Sequence, residues 1–128
     1  MRSLWYDPDG NPIAAADADV LLRNDLARRV AQTRITTERG EIKISTVFLV
    51  LDHSHGTTGP PVLWETMIFG GSMDEYQWRY TSRAAAEAGH AEAVTAVRSE
   101  LDLEGIAVVA EDTFAPGSPP KDGAPRQA

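Results

Sequence analysis

The sequence predicts an α+β fold: an antiparallel four-stranded meander with one long C-terminal helix packed on it and a short N-terminal helix. Three observations carry this expectation. From Arg29 the pattern becomes β-branched and alternating. The runs VLWETMIF and YQWRYT are separated only by the turn residues GGSMDE. Residues 82–101 are dominated by Ala, Glu and Arg around one apolar stripe. Short connections between consecutive strands favour antiparallel pairing. Residues 1–114 are expected to form one domain, and 115–128 (APGSPPKDGAPRQA) a disordered Pro/Gly-rich tail.

Each element has its own local reason. The opening LWYDPDGNPI places two apolar pieces around DPDGNP, where Pro fixes φ and Gly and Asn permit positive φ, so a turn or small hairpin is expected. In DADVLLRNDLARRV, Val20, Leu21, Leu26 and Val30 fall at helical spacing behind Asp17 as N-cap. RVAQTRIT, the turn ERGE and IKISTVFLVL read as paired strands. In the second of these, Ile42, Ile44, Thr46, Phe48 and Val50 share a face, and its later half is apolar on both sides, as in a central strand. Tyr76, Trp78 and Tyr80 share a face of the fourth strand. On the long helix, capped by Thr81 or Ser82, residues Ala86, His90, Val94, Val97 and Leu101 form the stripe that should meet the sheet. GIAVVAEDTF is short enough to be either an edge strand or an irregular end.

With 128 residues, 42% hydrophobic and 24% charged, the chain has the make-up of an ordinary globule that needs no disulfide or structural metal. Its lack of cysteine excludes thiolate metal sites and a cysteine nucleophile. No run approaches the roughly 20 apolar residues of a membrane helix, and the N-terminus has no signal-like apolar region, so a soluble cytoplasmic protein is expected. A net charge of −7 disfavours nonspecific nucleic-acid binding, with Arg23, Arg28, Arg29 and Arg34 the one local basic grouping. P-loop and Gly-x-Ser-x-Gly patterns are absent.

Chemistry concentrates at LDHSHGTTGPPVLWETMIF. His53 and His55, two apart on an extended chain, can share a metal, with Asp52 as an oxygen ligand or an orienting partner. Glu65 lies one strand on. Strand alternation leaves two orientations open: Leu63, Glu65 and Met67 inward, or Trp64, Thr66 and Ile68 inward. In the first, Glu65 is a carboxylate in an apolar setting. His90, on the helix stripe, points at the sheet, as a ligand, an acid/base or a hydrogen-bonded core histidine. The aromatics Trp64, Phe69, Tyr76, Trp78 and Tyr80 can serve as cross-strand core pairs or as a contact platform.

The ordered run STVFL-x-LDH, a Gly/Pro loop, ETM-x-FGG, RY and AGH, within residues 45–94, resembles a family of small uncharacterised proteins encoded by actinobacteria, other GC-rich bacteria and their phages. YDPDGNPI and RRVAQTRI are a weaker echo of it. The resemblance implies a small α+β protein often carried by phages or mobile elements, and it transfers no activity. Asp52, His53, Glu65 and His90 fall inside its motifs, whereas His55 sits in the freer part of the loop.

The first expectation for function is a non-catalytic accessory protein of phage or mobile-element type, in the host cytoplasm or associated with the virion. It would contact a protein partner, or a second copy as a homodimer, through the sheet face or the DHSHGTTGPP loop, with Asp52, His53, Trp64 and Trp78 as contacts. The alternative is a small hydrolase or nuclease in which Asp52, His53, His55 and Glu65 hold a divalent metal and Glu65 or His90 acts as acid/base. A third is sequestration of a nucleotide-like ligand by the aromatics and the Gly loop.

Overall fold

The computed structural model describes residues 4–54 and 58–115. His55 and almost all of the expected tail lie outside the described residues.

The fold is α+β, with a five-stranded antiparallel sheet in place of the expected four. β1 (Arg29–Thr37), β2 (Gly40–Phe48), β3 (Trp64–Phe69) and β4 (Gln77–Tyr80) form the meander. After the long helix the chain returns as β5 (Val108–Phe114) along the free edge of β1, giving the order β4-β3-β2-β1-β5. All seven residues of β5 are exposed. Without an apolar face to bury, its sequence carries no clear strand period, and β1 supplies the pairing that recruits it.

The expected single N-terminal helix is two: α1 (Ala15–Leu22) and α2 (Asp25–Arg28). Asn24 is the reason. Its side-chain oxygen accepts from the Ala27 amide at 3.1 Å and starts a new turn. Asp17 lies inside α1 rather than capping it, and Val30 belongs to β1, where a bulge between Arg29 and Ala31 buries both Val30 and Ala31. Val20 and Leu26, placed on the expected apolar stripe, are exposed. Tyr6 bridges Pro12 across the opening turn, and Trp5 bridges Leu51.

α3 (Arg83–Glu104) begins where the Ser82 hydroxyl accepts from the Ala85 amide. It ends at Gly105, whose φ of 70° lets Ile106 N–H turn back to the Leu101 carbonyl at 2.9 Å. The stripe Ala86, His90, Val94, Val97 and Leu101 is buried as expected, joined by Gly89 and Ala93. α3 lies across β1 to β4.

The core has two apolar halves. One joins Tyr6, Ala18, Val30, Phe48, Trp64 and Ala86, and the other joins Ile35, Ile44, Ile68, Val94, Val97 and Leu101. On each of the three central strands the inward residue between the halves is threonine: Thr33 on β1, Thr46 on β2, Thr66 on β3. On α3 it is His90.

The turn between β3 and β4 tests how tightly the end of this sheet is built. At Gly70 (φ +97°) an added Cβ would lie 2.7 Å from the backbone oxygen of Glu41, whereas at Gly10 (φ +86°) it would meet nothing within 4 Å. Gly70→Ala is expected to lose roughly 2–4 kcal/mol in urea unfolding, combining strained φ with a backbone clash. Gly10→Ala should lose only the backbone term, about 1–2 kcal/mol.

Candidate functional site

The buried polar row is the densest set of functional groups in the described structure. Tyr80 Oη donates to Thr66 Oγ1 at 3.1 Å, and Thr66 is hydrogen-bonded to Thr46. Thr46 Oγ1 lies 2.7 Å from His90 Nδ1, and Thr33 Oγ1 lies 2.8 Å from His90 Nε2. Thr33 continues to Thr113 at 2.9 Å. The row therefore crosses all five strands, with the imidazole of α3 inserted at its centre. Gly89 makes room for the tyrosine at its end, since a Cβ there would sit 2.3 Å from Tyr80 Oη.

Directions within the row follow from donor counting. A hydroxyl has one proton to give. With Tyr80 donating to Thr66, Thr66 donates to Thr46 and Thr46 donates to Nδ1. The neutral ring then carries its proton on Nε2, which donates to Thr33, and Thr33 donates to Thr113. Assigned this way, every proton in the chain has an acceptor. Burial pushes the His90 imidazole down to about 4, so it is neutral at pH 7. Both ring nitrogens are committed inside the protein, which is the behaviour of a structural histidine and leaves no nitrogen for a metal.

The remaining expected site residues separate. Asp52 anchors the base of its loop: Oδ1 accepts from the amides of Ser54 at 2.8 Å and Val62 at 2.9 Å, and Oδ2 accepts from the Ser54 hydroxyl. His53 donates from Nδ1 to the Leu51 carbonyl at 2.7 Å, and its backbone amide donates to Val62. These bonds close the loop between the ends of β2 and β3, an architectural role for the pair.

Glu65 is on the other side of the sheet. Trp64, Thr66 and Ile68 are the inward residues of β3, so alternation turns Glu65 outward, where its carboxylate meets Arg79 of β4 at 3.0 Å. Glu65 and His90 thus lie on opposite faces and cannot share a substrate or an ion. Among the described residues, no group of three or more His, Asp and Glu side chains is placed to hold a metal.

Trp64, expected as a contact residue, is buried against Phe48, with ring centroids 5.5 Å apart. Its indole N–H finds no acceptor among the described residues. Trp78 remains partly exposed at the β4 edge, edge-on to Tyr76. The aromatics do not form one platform: Trp64, Trp78 and Tyr80 point to the helix side, and Phe69 to the other.

A sheet face was expected as a contact surface, and the open one is the side opposite α3. Lys43, Ser45 and Val47 from β2 and Leu49 just past its end, with Glu65, Met67 and Phe69 from β3, line it at partial exposure. Phe114 of β5 joins them. The helices pack on the opposite side, so no described element covers it. The signal that could have found it was parity: once Thr33, Thr46 and Thr66 are assigned inward as partners for one imidazole, their neighbours must face outward.

No family model, curated protein or solved structure matches the chain. Among the described residues no helix is long and apolar enough to cross a membrane.

Two measurements check the row. His90 is unprotonated in the folded state until about pH 4, whereas in the unfolded chain it titrates near 6.5. Between these values only the unfolded state takes up the proton, so this contribution to stability is flat above pH 6.5 and falls with pH down to about 4. The total is roughly 3 kcal/mol. Urea unfolding across this range should show that fall, and His90→Gln, with His53 and His55 still present, should lack it. Thr46→Val keeps the volume but removes the donor to Nδ1 and the partner of Thr66. It should lose about 1–3 kcal/mol, while the exposed Thr36→Val changes stability by less than about 0.5 kcal/mol.

Proposed function

We propose that this chain is a non-catalytic binding protein that acts through protein contact at the uncovered face of its sheet. The supporting observation is the one-sided packing. α3 covers one face, while the other presents Val47, Leu49, Met67, Phe69 and Phe114 among polar and charged residues with no described element in front of them. Apolar side chains grouped on an open face, rimmed by charge, are the composition of a contact surface. The resemblance to small phage-borne proteins fits an accessory role of this kind.

The geometry gives less to the other readings. A metal-dependent hydrolase would need Glu65 and His90 on one side of the sheet. A nucleotide trap would need its aromatic rings around one cavity, whereas Trp64 is in the core and Phe69 is on the far face.

A photo-crosslinking amino acid at Val47, compared with one at Glu92 on the outer side of α3, tests the proposal in cells carrying the protein. A discrete protein adduct from position 47 and none from position 92 is expected. Adducts from neither position, or equally from both, would reject the sheet face as the contact surface.

A further inference from the structure

The open face has a charge pattern of its own. Pairing registers place most of its side chains in three rows across the sheet, with Glu41, Thr36 and Ala110 in a fourth at its end. The first runs Phe69, Lys43, Arg34, Asp112. The second runs Gln77, Met67, Ser45, Gln32, Phe114, and the third Arg79, Glu65, Val47, Arg29. Two of the cations already have carboxylate partners: Arg79 with Glu65 at 3.0 Å and Arg34 with Glu41 at 3.4 Å. The other two rest on aromatic rings. Lys43 Nζ is 4.8 Å from the centroid of Phe69, and the Arg29 guanidinium is 5.6 Å from that of Phe114. Among the described residues, neither has a carboxylate within salt-bridge distance.

The result is a face with a slight excess of positive charge on a chain of net charge −7. The acidity lies elsewhere, notably on α3, where Glu87, Glu92, Asp102 and Glu104 are exposed. Beside Lys43 the surface dips into a shallow depression of about 400 Å³ lined by Arg34, Glu41, Lys43, Phe69 and Gly70. It combines two cations with a ring edge next to the apolar centre of the sheet.

Resting on the contact surface proposed above, we infer that its occupant is an acidic protein segment carrying apolar side chains. Its carboxylates meet Lys43 and Arg29, and its apolar residues cover Val47, Met67 and Phe69. Charge complementarity decides against the other occupants. A second copy presenting the same face sets excess positive charge against itself. A copy presenting its acidic α3 side makes a head-to-tail contact that does not close into a dimer. A nucleic acid strand needs free ring faces for stacking, and here Phe69 and Phe114 are each covered by a cation. It also meets the field of the strongly acidic remainder.

Amide chemical-shift mapping of the full ¹⁵N-labelled chain tests this, with three probes: a short synthetic peptide of Glu, Leu and Phe, the same peptide with Lys for Glu, and oligo-dT. Sedimentation of the chain alone accompanies it. The expected result is that the acidic peptide perturbs residues 43–47 and 65–69 with Arg29 and Gln32. Lys43→Glu and Arg29→Glu should each weaken binding about fivefold, with Lys43→Gln intermediate. All three variants sit at half-buried positions, so their melting temperatures verify folding. Equal binding of the basic peptide, unchanged affinity in the Lys43 variants, or tighter binding of oligo-dT at this face would overturn the inference. Self-association through the same residues would also overturn it while leaving the contact surface standing. Perturbation on the α3 side alone, or none with any probe, would remove both.

Discussion

The interaction on which the rest of the structure depends is the hydrogen-bonded insertion of His90 between Thr33 and Thr46. An imidazole buried without partners would lose its hydration for nothing in return, and each unmet polar atom costs about 1–3 kcal/mol. Here both nitrogens are satisfied, and satisfying them requires particular threonines on particular strands. A one-residue slip of β1 against β2 would turn Thr33 or Thr46 to the opposite face and orphan the ring. The row therefore fixes strand register and helix position together. The apolar halves on either side reinforce that register, because the same slip would turn Ile35 or Ile44 to the open face. Specificity of this kind is the best-supported use of a fully satisfied buried polar network.

This inversion explains what could be read in advance. The long helix was plain because its stripe and its Ser82 cap obey local rules, and His90 was correctly aimed at the sheet. The strands were plain from β-branched alternation. The orientation of β3 was not, because its inward set includes Thr66 and its outward set includes Met67. Hydrophobicity alone scores those two faces nearly alike. β5 was legible only as a possible edge strand for a related reason: a fully exposed strand has no periodicity to show, and the free edge of β1 decides it. Asn24 carried a signal that was overlooked, since a capping residue in the middle of an apparently continuous helical run is itself a break.

The Asp-His motif has a different lesson. Residue types that bind metals also hydrogen-bond backbone, and sequence spacing does not distinguish the two uses. Asp52 holds the amides of Ser54 and Val62, and His53 holds the carbonyl of Leu51. They do for the loop what a cap does for a helix: they meet polar groups left over where the strand ladder stops.

The same polar row also shapes the outer surface. A helix-side core split by hydroxyls and an imidazole leaves alternation to place Val47, Met67 and Phe69 on the other face, so apolar area that could have deepened the core is turned outward. Outward apolar area brings less folding stability than core area, since it is only partly removed from water. Its favourable use is burial against something else. The cations beside it lie on Phe69 and Phe114, with no carboxylate within salt-bridge distance among the described residues. Fold specificity and an outward apolar face are thus two consequences of one pattern: threonine inside, hydrophobe outside, with the sheet as the wall between them.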